Sequence, residues 1–76
     1  MKPLFINQIR VLRAKSNLSQ EELANKVGVR RETVGNLEAG KYNPSLLLAM
    51  DIAAVFGVTV EEVFQRTNAE EKHRKQ

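Results

Sequence analysis

The chain contains no cysteine, so it holds neither a disulfide framework nor a thiolate metal site, which fits a reducing cytoplasm. Histidine occurs once, as His73 in a polar C-terminal stretch. No nucleophile stands beside a base, no metal-ligand cluster forms and no glycine-rich phosphate loop is present, so the sequence reads as a non-enzyme without cofactor or metal. Long apolar runs are missing too. The longest in the body, Leu46–Met50, is far short of the roughly 20 residues that cross a bilayer. The N-terminal stretch MKPLFINQIR lacks a signal-peptide core. A soluble, unexported protein is expected, with no membrane and no small-molecule substrate among its partners. Its 76 residues make one domain, too small for a cleft between lobes, that buries only about 60% of its unfolded surface.

What is present is unevenly distributed charge. The net charge is +3, but residues 1–41 carry eight basic against four acidic side chains, +4. Residues 42–64 carry only Asp51, Glu61 and Glu62, −3, and residues 65–76 return to +2. A polyanion would be drawn to the first part and repelled by the middle, which orients the domain before any sequence is read.

Residues Leu18 to Lys41, LSQEELANKVGVRRETVGNLEAGK, carry the most information. Ser19 precedes apolar Leu23, Ala24 and Val27, with Glu22 three residues on, so Ser19 and Glu22 form a capping box and a helix starts at Gln20. Gly28 supplies a left-handed stop and a tight turn. Val29 points back to the core, and Val34 with Leu37 gives the next helix a narrow apolar stripe. At about 100° per residue, Val34, Leu37 and Glu38 share one side while Glu32, Gly35, Asn36 and Ala39 point the other way. Ala24 is short enough to let two helices cross closely. Two short helices joined in this way are the arrangement that lays the second one into the major groove of DNA.

Elsewhere helical signals continue. Asn7 is a candidate cap for a first helix over 7–16, with Ile9 and Leu12 on one face, Phe5 or Ile6 leading in, and Asn17 as its left-handed stop. After Gly40 the loop KYNP is broken by Pro44; Ser45 caps a fourth helix, Leu46 to Phe56, whose core face is Leu48, Ala49, Ile52, Ala53 and Phe56. Tyr42 and Pro44 read as loop packing. Gly57 ends the fourth helix, and Thr59 caps a short fifth that holds Val63 and Phe64. No segment alternates with period two long enough to suggest a sheet. Residues 65–76, QRTNAEEKHRKQ, have one alanine as their only apolar residue and read as a fraying tail. On the outward face of the fourth helix, Leu47, Met50 and Ala54 form an apolar stripe with no core to face. Ordinary scattered surface residues and a partner surface both account for it.

The order LSQEELA, glycine turn, second helix, E-x-G-K-Y-x-P-S, and an apolar fourth helix ending in G-V-T-x-E-E-V-F resembles the Cro and phage-repressor-like (Xre) helix-turn-helix family over residues 6–64. The resemblance implies an all-α, five-helix lambda-repressor-like domain over residues 1–64. It also implies a sequence-specific regulator of transcription that binds double-stranded DNA, most often a repressor, as a homodimer on a palindrome in a prokaryotic or phage-host cytoplasm. Position by position it makes Gln20, Arg30, Lys41 and the backbone at Ala39 and Gly40 phosphate contacts. Arg31, Glu32 and Asn36, flanked by Thr33, become base contacts. Such side chains can bond guanine, cytosine and adenine respectively, each good pair contributing about 1–3 kcal/mol of discrimination. Arg13 and Glu38 match a structural salt bridge between helix one and the recognition helix. Dimerisation is expected around Val55 to Phe64, including Val60, with the Leu47, Met50 and Ala54 stripe contributing or serving another protein.

Two departures stand out. Relatives commonly have Ser or Thr where this chain has Arg30, which cannot cap the recognition helix, at a cost of about 1 kcal/mol. Glu32 faces DNA with a carboxylate, so it meets cytosine, serves the helix dipole, or pairs with Arg31 when DNA is absent. Two other roles stay open. One is an antitoxin or restriction-controller subunit that also binds a partner protein; the other is a protein-interaction module that no longer binds DNA, against which Gln20, Arg30, Arg31 and Lys41 argue. With no separate signal domain, regulation is expected from concentration, a partner or proteolysis.

Overall fold

The computed structural model describes residues 5–66. A two-residue strand, β1 (Ile6–Asn7), is followed by helices α1 (Ile9–Ser16), α2 (Gln20–Val27), α3 (Arg31–Glu38), α4 (Leu46–Phe56) and α5 (Val60–Val63), then by strand β2 (Phe64–Gln65). The helix ends follow local chemistry. Ser19 and Glu22 form a reciprocal capping box on α2, Thr59 and Glu62 do the same on α5, and the Ser45 hydroxyl accepts from the Leu48 amide at the start of α4. Asn17 (φ 57°) and Gly28 (φ 77°) end α1 and α2 in the left-handed region, where glycine carries no Cβ penalty and asparagine only a small one. Among the described residues, no helix is long and apolar enough to cross a membrane.

One core unites the helices. Ile9, Leu23, Val34, Leu37, Ile52 and Val63 are fully buried, and Phe5, Ala24, Leu48, Ala49 and Ala53 nearly so. These residues come from β1's approach and all five helices, so each short helix is held by tertiary burial rather than by its own propensity, as helices of this length require. Ala24 is buried in α2, which packs against both α3 and α4.

The structure corrects the sequence reading at both ends of the domain. β1 and β2 pair antiparallel, with Ile6 opposite Gln65 and Asn7 opposite Phe64. Phe64 is therefore in a strand and not in the fifth helix, and Gln65 belongs to the fold rather than to the tail. Asn7 is not the helix cap. α1 starts at Ile9, and Asn7 Oδ1 accepts from the Ile9 amide (3.1 Å) while its Nδ2 donates to the Leu37 carbonyl (3.0 Å). The Gln8 amide donates to Val63 (2.9 Å), and the Phe5 and Phe64 rings meet edge to face at 5.3 Å. Tyr42, expected to pack in the loop, is exposed; Pro44 is half-buried. The tail beyond Arg66, with His73, lies outside the described residues.

Candidate nucleic-acid interface

The turn at Gly28 and Val29 sets α3 across α2. The Val29 amide donates to the Ala24 carbonyl (3.0 Å), which closes the turn, and Val29 packs against the core. α3 then buries Val34 and Leu37 and leaves Arg31, Glu32 and Asn36 exposed on the far side, with Thr33 half-buried between. Burial of one stripe fixes which side of the helix is offered to a partner. Arg30 occupies the N-cap in extended backbone without a side-chain capping bond, and its side chain is exposed. Gly35, expected to face outward, is half-buried beside Gln20, whose Nε2 would stand 3.9 Å from an added Cβ.

Glu38 anchors this helix. Its side chain is 2% exposed, and Arg13 Nε from α1 reaches Oε2 at 2.7 Å while Arg13 Nη2 reaches Oε1 at 3.3 Å. Arg13 Nη1 also donates to the Leu18 carbonyl (2.9 Å), so one guanidinium ties α1, the loop before α2 and α3 together. Gln20 Nε2 donates to Glu38 Oε1 (3.0 Å), and Arg10 Nε lies 3.6 Å from the same oxygen. Burial alone would push the Glu38 carboxyl up. The hydrogen bonds from Arg13 and Gln20, with the charges of Arg13 and Arg10, outweigh it and hold the group below its ordinary value.

Gln20 faces two ways. Besides its bond to Glu38, its Oε1 accepts from Arg31 Nη1 at 3.0 Å. Arg31 therefore pairs with Gln20 and not with Glu32, and among the described residues Glu32 forms no ion pair. At the other end of α3, the amides of Ala39, Gly40 and Lys41 donate to the carbonyls of Gly35, Leu37 and Asn36. That corner offers the exposed Lys41 ammonium rather than free backbone donors, and Gly40 itself is buried. Among the described residues, no group of three or more His, Asp or Glu is placed to hold a metal ion.

Sequence reasoning missed Arg10 and Leu46, and gave Asn7 the role of a cap without its bonds to the end of α3. Arg10 and Asn7 act across long sequence separations, on Glu38 and on the end of α3. Leu46 extends the α4 stripe. Leu46 and Leu47 are about 70% exposed, with Met50 and Ala54 also open, whereas Val55 and Val60 are half-buried against the core.

A reading helix backed by a core, delivered by a tight turn and flanked by exposed cations, defines a helix-turn-helix DNA-binding domain. The profile of the helix-turn-helix family matches residues 9–63, and the chain belongs to that family, in its Cro and phage-repressor-like branch of transcriptional regulators, which are not enzymes. The chain is 60% identical over 57 residues to an uncharacterised HTH-type transcriptional regulator of Archaeoglobus fulgidus, spanning 75% of this chain and 80% of that one. It is 37% identical over 71 residues to the cryptic phage CTXphi transcriptional repressor RstR of Vibrio cholerae, 91% of this chain and 64% of that one. The crystal structure of the restriction-modification controller protein C.AhdI of Aeromonas hydrophila superposes with a TM-score of 0.67 at 36% identity, covering 72% of this chain and 83% of that one.

Proposed function

We propose that the protein represses transcription by occupying a palindromic operator as a homodimer, with α3 of each copy in the major groove. The observation that carries this is α3 itself: Arg31, Glu32 and Asn36 are exposed on one side while Val34 and Leu37 are locked into the core on the other. Arg31, Glu32 and Asn36, with Thr33 beside them, read base edges. Arg30 and Lys41 hold phosphates, while Gln20, whose nitrogen bonds Glu38 and whose oxygen accepts from Arg31, braces the reading helix, and Ala39 and Gly40 shape the turn that carries Lys41. Similarity to a named repressor supports the repressor reading. The test is selection from a randomised duplex pool followed by a salt series. A single enriched palindrome is expected. Two cations on phosphates per copy, Arg30 and Lys41, lower affinity roughly 100-fold between 50 and 200 mM salt. No enriched sequence and a flat salt response would sink the reading. Replacing Glu32 by alanine is expected to relax preference at one base pair; tighter binding to every duplex would show instead that its carboxylate only opposes phosphates.

Two-fold symmetry places the two reading helices about 34 Å apart. The dimer is formed by the Val55 to Phe64 region, with Leu47 and Met50 contributing. Wild type is expected to sediment as a dimer and Leu47→Asp/Met50→Asp as a monomer, and equal monomer masses for both would overturn it. The restriction-controller or antitoxin reading is favoured by one observation, the exposed Leu46, Leu47 and Met50 stripe beside Asp51, together with the likeness to a controller protein. A partner protein seated there would leave α3 free for DNA.

A further inference from the structure

Glu38, Gln20 and Arg31 form a chain of hydrogen bonds that runs from the buried end of the reading helix back to its exposed start. The direction of each bond is set by chemistry. An ionised carboxylate only accepts, and a guanidinium only donates. Glu38 is held ionised in a nearly closed site, so the side chain of Gln20 has to turn its amide nitrogen inward. Its oxygen then faces out, and Arg31 Nη1 is the donor that meets it. Glutamine is the side chain of that length that donates at one end of the pair and accepts at the other. Glutamate at position 20 would set two carboxylates together, and lysine would set two cations together.

The geometry points to Glu38 as a specificity-determining residue that touches no DNA: through Gln20 it aims the Arg31 guanidinium at the two acceptors of a guanine. This rests on the reading of the protein as a sequence-specific DNA binder. The guanidinium is planar in any setting; the bond from Nη1 to Gln20 fixes where that plane points and leaves Nε and Nη2 as the fork that matches guanine O6 and N7. An unheld arginine on the exposed first turn would sample several rotamers and meet phosphates as readily as bases. The two-sided anchoring also explains why Gln20 is half-buried beside Gly35 rather than extended into solvent.

The test uses the selected duplex and its single-base-pair variants. Arg31→Ala first marks the pair that Arg31 reads, as the position where preference disappears; guanine is expected there, preferred by about 5- to 150-fold. Gln20→Met keeps length and volume but neither polar end. Glu38→Gln keeps shape but lets its amide offer donor or acceptor, which frees Gln20 to turn. Both variants are expected to lower guanine preference at that one pair by about 3- to 10-fold, with preference elsewhere unchanged. Melting curves select conditions in which each is folded. Unchanged guanine preference in both, with affinity lost equally on every duplex, would overturn the relay alone, as would a base other than guanine at that pair. A wild-type selection that enriches nothing would overturn the DNA-binding reading and the relay with it.

Discussion

Glu38→Ala is expected to destabilise the domain by about 3 kcal/mol or more, which lowers Tm by more than about 10 °C for a domain of this size. Arg13, whose side chain is only 16% exposed, would be left with the Leu18 carbonyl as its remaining fixed partner, and Gln20 would lose its inward acceptor. Thermal melting followed by circular dichroism checks this. The same carboxylate makes stability depend on acid. Because its folded value lies below the ordinary 4.5, the unfolded chain takes up the proton first as pH falls. The contribution is therefore complete above about 4.5 and is lost as pH drops through the lower folded value. Melting temperatures of wild type are expected to fall in that acid window, and those of Glu38→Gln to fall less steeply there, from a lower starting point. Parallel curves for the two would show that other carboxylates govern the acid response.

Leu37→Ala is expected to cost about 2–5 kcal/mol, because Leu37 is fully buried on the side of α3 opposite its exposed residues. Loss of this side chain leaves a cavity that neighbours from other helices fill only in part. The matching control is Val11→Ala on the exposed surface of α1, expected to lie within about 0.5 kcal/mol of wild type. Urea titration of the two variants measures both, and similar midpoints would contradict the assignment of α3's buried face. At low temperature, the folded fraction of Leu37→Ala is expected to bind the selected duplex almost as wild type does, since no exposed residue has changed.

Most of this architecture was legible because its signals are local. Ser19 with Glu22, Ser45, Thr59, Gly28 and Gly57 each act within a few residues of where they stand, and the structure places caps and stops at those positions. The stripe of Val34, Leu37 and Glu38 could be drawn from helical spacing alone. The β1–β2 pair could not. Two residues per strand show no alternation, and pairing between positions 6–7 and 64–65 is visible only when both ends are in place. Asn7 misled for a related reason: an asparagine ahead of a helix resembles a cap, and its Oδ1 does accept from the Ile9 amide, yet it stands one residue outside the cap position and its Nδ2 bonds carbonyls of α3, far away in sequence. For the interface, the outward placement of Arg31, Glu32 and Asn36 followed from the wheel. The bond from Arg31 to Gln20 required knowing how α2 lies against α3; from the charges alone, pairing with the neighbouring Glu32 was one of the open alternatives.

The pairing of β1 with β2 also bears on motion. It closes a loop that includes all five helices, and contacts between such distant segments repay their ordering entropy only after the intervening chain has settled. The ribbon is thus expected to zip last in folding and to part first in local opening, while the core stays shut. Asn7, held in that ribbon, clasps the carbonyls of Leu37 and Glu38, so each brief parting loosens the last turn of α3 and with it the corner that carries Lys41.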